Sequence, residues 1–175
     1  MSAHPFHLTS PKFAVLSDDR VHRYWLGRIW DRALPLLVVC MFNPSTADGQ
    51  KDDPTIQRLC KWARLWGYGG ILVINLYSLR SSDPADVRVS GKLAWGDAQH
   101  EAIGHALDIA AKQKTPVLAA WGDLACSADI IPFTKAAAGI DLICLGQTKS
   151  GAPKHPMARG RSRIPDEQMP MAWAA

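Results

Sequence analysis

The chain predicts a single α/β domain, a three-layer sandwich built on a mostly parallel central sheet of about four strands and preceded by an N-terminal β-hairpin. Three observations carry that expectation. Apolar runs of strand length recur along the chain, segments of helical spacing lie between them, and each run stops abruptly in polar loop residues. The 175 residues are 47% hydrophobic and 21% charged, enough for one substantial core. One domain over 1–175 follows, divided into a hairpin (13–32), an α/β core (34–146) and a basic loop and tail (147–175).

The elements follow in order. In FAVLSDDRVHRYWLGRIWDR (13–32), two extended runs flank the turn-rich Ser17-Asp18-Asp19-Arg20, which reads as a hairpin. LPLLVVCMF (34–42) is a continuous apolar run, the pattern of a parallel strand covered on both faces. Asp53-Pro54 supplies a helix cap and a proline at the first helical position, and Ile56, Leu59, Cys60 and Ala63 form the apolar stripe. Gly67, Gly69 and Gly70 stop that helix ahead of a second strand, ILVIN (71–75). A polar loop through Ser81-Ser82-Asp83-Pro84 comes next, then a helix over 94–112 with Ala102, Ile103, Ala106, Leu107 and Ala110 on one face. VLAAW (117–121) is the third strand, part of 123–138 a helix, and IDLICLG (140–146) the fourth strand. The last thirty residues, rich in proline, read as an ordered loop or tail.

Composition narrows the function classes. No apolar run approaches the roughly 20 residues that cross a bilayer. The start, MSAHPFHLTSPKF, lacks the layout of a secretory signal, so a cytoplasmic location is expected. Cys40, Cys60, Cys126 and Cys144 form no C-x-x-C pair and stand off ligand spacing from the histidines, so neither zinc nor any other cofactor is expected. Of the seven tryptophans, Trp25 and Trp30 on the hairpin and Trp62 and Trp66 on the first helix read as packing. The net charge of +4 is local: residues 149–163 carry Lys149, Lys154, Arg159, Arg161 and Arg163 with no acidic residue. Such a loop on a near-neutral body fits a polyanion or phosphate partner, or a solvated basic segment.

In open α/β sheets ligands bind beyond the carboxyl ends of the strands, where loops converge and helix N-termini present free N–H groups. That edge should gather Asn43, Ser45, Thr46 and Asp48 after the first strand, Asn75 at the end of the second, Trp121 after the third, and Thr148, Lys149 and His155 after the fourth. Asn43, stiffened by Pro44, either orients a water or substrate hydroxyl or braces its own loop. Asn75 ends a buried run and offers donor and acceptor together, as a planar heterocycle requires. Asp53 is the helix cap, leaving Asp48 and Asp52 as candidate base or metal ligand. His155 sits where it can donate to a carbonyl or to developing negative charge. Trp121, at the strand mouth, either lines a pocket or fills the core.

MFNPSTAD (41–48), DDPTIQR (52–58), WGYGG (66–70), NLYSLR (75–80), Trp121-Gly122 and LGQTKSGAPKHPM (145–157) together resemble an uncharacterised bacterial and phage domain family marked by its N-P-S-T-A-D signature. The resemblance runs from Arg23 to Trp173 and implies no activity. Gln99-His100 stand where that family's pattern has Asn-Asp. The order of motifs is also similar, more distantly, to the uracil-DNA glycosylase superfamily. It implies a uracil-DNA-glycosylase-like fold, with Asn43-Pro44 in the water-handling motif, Asn75 as base reader and His155-Pro156 as leaving-base stabiliser. Met157 then corresponds to the apolar wedge, and Ala158, Arg159 and Gly160 follow it. Phe42 replaces the motif's glycine, no stacking aromatic is identifiable, and no Ser-Pro follows Pro156. The resemblance implies a nucleobase N-glycosidase-like hydrolase acting on DNA or a modified nucleotide, held through Lys154, Arg159, Arg161 and Arg163. Two alternatives stay open: an enzyme of small nucleotides or nucleosides, and an inactive nucleic-acid- or nucleotide-binding module.

Overall fold

In the computed structural model, residues 8, 10–45 and 47–174 are described. Strands β1 (Lys12–Leu16) and β2 (Arg23–Ile29) form the hairpin, closed by the Arg20 amide donating to the Ser17 carbonyl at 2.9 Å. Strand β3 (Leu36–Met41) is buried along its whole length. Helix α1 (Pro54–Leu65) starts at Asp53, whose Oδ1 accepts the Ile56 N–H at 2.9 Å. Strand β4 (Gly70–Asn75) follows, and its start needs glycine: a Cβ on Gly70 would lie 2.6 Å from the Arg28 carbonyl. Then come α2 (Pro84–Ser90), α3 (Gln99–Gln113), β5 (Val117–Ala119), α4 (Ser127–Ala136), β6 (Leu142–Cys144) and β7 (Met171–Ala172).

The seven strands make one mixed sheet in the order β1-β2-β4-β3-β5-β6-β7. Its centre, β4-β3-β5-β6, is parallel, while the hairpin joins β4 and β7 joins β6 antiparallel. Both faces are covered. Leu37, Val39, Met41, Ile71, Val73 and Leu118 meet Ile56, Leu59, Trp62 and Ala63 of α1. Val38, Cys40, Leu72, Ile74, Val117 and Ala119 meet Val87 of α2, Ala102 and Ala106 of α3, and Phe133 of α4. Side chains that alternate along β3, β4 and β5 thus feed two apolar layers, the physical reason these strands read as unbroken apolar runs.

Four details depart from the sequence reading. The loop expected after Ser81 contains α2, capped by Asp83 in the way Asp53 caps α1. Strand β5 ends at Ala119, short of the expected Trp121. Trp62, rather than Cys60, fills the α1 stripe, because indole reaches the layer that a half-buried thiol does not. The tail contributes β7. Among the described residues no helix is long and apolar enough to cross a membrane.

Candidate functional site at the carboxyl rim

Backbone hydrogen bonds knit the loops beyond β3, β4, β5 and β6 into one rim. Leu76 and Tyr77 amides donate to the Met41 and Phe42 carbonyls at 2.9 and 3.0 Å, and Ser81 donates to Pro44 at 3.0 Å. Across the other side, Ala120 donates to Cys40 at 2.8 Å, Gly122 to Pro153 at 2.9 Å, and Lys154 to Gly146 at 2.8 Å. Chain segments more than a hundred residues apart, around Asn43 and His155, therefore belong to the same edge of the sheet.

Asn75 is the sharpest feature of that edge. It is 2% exposed, and neither Oδ1 nor Nδ2 of its carboxamide has a hydrogen-bond partner among the described residues. Alternation along β4 turns it to the α1 face, since Ile71 and Val73 pack there and Leu72 and Ile74 opposite. A buried amide with both ends unmade costs about 1–3 kcal/mol per missing bond, and native structures rarely tolerate it without a use. Gln99 fixes its backbone: Nε2 donates to the Asn75 carbonyl at 2.7 Å, which gives one half of the Gln99-His100 departure a structural part.

Arg23 is the residue the sequence reading missed. Its guanidinium is buried, donates from Nη1 to the Ala47 carbonyl at 2.7 Å, and leaves Nε unpartnered. Burial brings its pKa down to about 10, so it stays charged at neutral pH, with the Asp53 carboxylate opposing the shift. An arginine in a hairpin strand reads as solvent-facing. The signal to the contrary is topological, because β2 lies inside the sheet, between β1 and β4. Arg28, on the same strand, shows the satisfied counterpart: it pairs with Asp52 at 2.6 Å and donates to the Gly27 and Asp48 carbonyls.

His155 lies against Gly122, where a Cβ would meet the histidine Cβ at 3.4 Å. The Met157 amide donates to Nδ1 at 3.1 Å, which places the ring proton of the neutral form on Nε2. Burial lowers its pKa below the ordinary histidine value and Asp53 partly offsets this, so the ring is neutral at pH 7. The Asp53 carboxylate thus acts on Arg23 and His155 alike, in addition to capping α1.

The remaining candidates divide. Asn43 donates Nδ2 to the Ser81 and Pro44 carbonyls at 2.9 and 3.1 Å, which is the loop-bracing alternative for its N–H groups, while its Oδ1 accepts no hydrogen bond among the described residues. Asp48 Oδ1 accepts the Gln50 and Lys51 amides at 2.8 and 2.9 Å, which holds its pKa below the usual carboxylate value and makes it a turn brace. Ser45 borders a shallow recess with Arg20 and Arg80, and Thr46 lies outside the described residues. Trp121 is fully buried and packs edge-on against Phe133 and Trp173, with its Nε1–H left without a hydrogen-bond partner among the described residues. Thr148 donates to Asp123 Oδ1 at 2.6 Å as a loop brace, and Lys149 is exposed. Among the described residues no cluster of three His, Cys, Asp or Glu groups is placed to hold a metal.

The basic segment folds back along α1. Met157, Arg159 and Arg163 face Pro54, Gln57, Arg58 and Lys61 across a groove of about 600 Å³. Arg58 anchors the segment by donating to the Pro156 and Ile164 carbonyls at 2.6 and 2.7 Å, and Asp166 pairs with Lys61 at 2.7 Å. Arg58 and Lys61 thus join the groove from a helix whose polar face gave no sign of it. Lys154 is half-buried against Gly146, and Arg161 is exposed outside the groove lining.

A mixed α/β sheet with a parallel centre and amide, guanidinium and imidazole groups along its carboxyl rim is the class of protein these features define. The chain belongs to the family described as protein of unknown function (DUF1643), matched over residues 23–157. This agrees with the uncharacterised family expected from the Asn43-to-Asp48 segment, and it leaves Arg159, Arg161 and Arg163 beyond the matched span. No curated protein and no solved structure matches the chain.

Proposed function

We propose that the chain handles a nucleobase, in DNA or in a modified nucleotide, and cleaves or transfers at its N-glycosidic bond. The observation that carries this reading is the buried Asn75 carboxamide, whose unmet donor and acceptor match the edge of a planar heterocycle. His155 suits the leaving side of such a reaction. As a water adds to the anomeric carbon, the C–N bond breaks and its electron pair goes to the base, where a neutral Nε2–H donates a hydrogen bond to the developing anion until the proton shed by the water passes through solvent to the released base. Asn43, held by its N–H groups, has Oδ1 left to accept from that water. The groove between α1 and the basic segment suits the phosphates, and the motif order in the sequence that resembles the uracil-DNA glycosylase superfamily is in keeping with this reading.

A binding module without hydrolysis is the second reading, favoured by one observation. Asp48 is engaged by its own turn, Asp52 pairs with Arg28, Asp53 caps α1 and an uncharged Asn43 is a weak base, so among the described residues of this loop no carboxylate is uncommitted. Calorimetry with free bases, nucleosides, nucleotides and short DNA, alongside an assay for released base, separates the two. Base release that is lost in Asn75→Ala and His155→Ala supports the glycosidic reaction. Binding lost in Asn75→Ala without base release from any substrate supports the module. Failure of every probe to bind discards both.

A further inference from the structure

A separate recess lies on the other face of the sheet, between the first turns of α3 and the length of α4. It holds about 230 Å³, room for one small ring system, and its lining includes Tyr77, Trp95, Gln99, Ile103, Pro132 and Phe133. The Tyr77 and Trp95 rings stack with centroids 5.0 Å apart and planes 17° from parallel.

Two helix irregularities keep this space open. Gly104 sits within α3, where glycine weakens a helix relative to alanine, and a Cβ there would meet nothing within 4 Å. Pro132 interrupts α4, so it offers no N–H to the carbonyl of Ala128, which lines the same recess. Gln99 is 2% exposed and donates Nε2 to the Asn75 carbonyl, while its Oε1 accepts nothing among the described residues. Gln99 Oε1 is thus an acceptor left for a bound donor. His100 also lines the recess but no lysine or arginine does, and the bordering Asp129 carboxylate is already paired with Arg88, so no permanent cation of the lining is there to hold an anion.

We infer that this recess is a binding site for an uncharged, planar one- or two-ring aromatic molecule that carries an N–H donor. The ring lies against the Tyr77 and Trp95 aromatics and the apolar helix faces, and its N–H reaches Gln99 Oε1. The site stands apart from the Asn75 carboxamide, which faces the opposite helix layer, and the two share only the Gln99 bond to the Asn75 backbone.

The test titrates indole into the full chain, followed by calorimetry and by backbone amide NMR shifts, with benzofuran as the same shape without the N–H. Saturable indole binding is expected, with shifts gathered at Gln99, Gly104, Ala128 and Phe133. Losing the one donor should make benzofuran bind about tenfold more weakly. Gly104→Leu and Ala136→Leu, both at exposed helical positions, fill the recess and should each abolish indole binding. If Gly104→Leu does not fold, Ala136→Leu decides. No saturable indole binding, equal affinity for benzofuran, or unchanged affinity in the folded variants overturns the inference.

Discussion

At the residue scale, Asn75 sets function against stability. Its amide is buried without partners, so Asn75→Leu, close in size and apolar, should stabilise the fold by about 1–3 kcal/mol while ending ligand binding. Denaturant midpoints together with calorimetry check this, and a destabilised variant would mean that the amide has partners in solution. His155 carries a pH signature. Its folded pKa lies below its unfolded value because burial disfavours the imidazolium, with Asp53 opposing. The unfolded chain then takes up a proton that the folded chain resists. Stability from this group is full above the unfolded value of about 6.5 and is lost as pH falls through the lowered folded value. Denaturant midpoints compared at about pH 5 and about pH 8 should converge in His155→Asn relative to the parent. The partners of Asn43 and Asp48 were not legible in sequence, because an Asx turn and a catalytic amide use the same residue types. Arg23 escaped notice because strand alternation does not say that a hairpin strand will be enclosed.

At the element scale, helix caps were the most readable signals. Asp53-Pro54 marks α1, and Asp53→Ala should cost about 1 kcal/mol with a matching fall in melting temperature. The same pair of residues, Asp83-Pro84, marks α2, so that helix was open to the same reading, although seven residues give too little apolar period to declare it. Parallel strands β3 and β4 announced themselves by unbroken apolar runs. Strand β7 did not, since two exposed residues have no pattern and pair only because β6 leaves an edge beside them. Helix α4 is held by chemistry that no period reveals. Burial pushes the Asp129 carboxyl up, but the Arg88 fork from α2 and the Tyr77 hydroxyl outweigh it and bring the pKa down to about 2.

At the scale of the whole molecule, charge is segregated. The excess of positive residues follows the segment that returns along α1, opposite Arg58 and Lys61. If nucleic acid is the partner, log affinity should fall linearly with log salt, and Arg159→Ala with Arg163→Ala should flatten the slope by roughly two contacts, each worth about 0.7–0.9 in slope. Fluorescence anisotropy of labelled DNA across a salt series measures it, and a slope unchanged in the double variant would remove the groove from the interface. The α/β class and the gathering of the rim loops followed from the order of apolar runs, whereas the antiparallel margins of a single seven-stranded sheet and the path of the last thirty residues did not, because a proline-rich segment takes its course from what it lies against.

The two-residue strand β7 has one further consequence. With Met171 and Ala172 paired to β6, and the Trp173 amide donating to the Leu142 carbonyl at 2.9 Å, it sheathes a sheet margin that would otherwise offer unpaired amides to solvent. Such margins template fibres and strand-swapped dimers. A chain ending at Gln168 should therefore self-associate, visible as a concentration-dependent rise in light scattering, while the intact chain stays monodisperse.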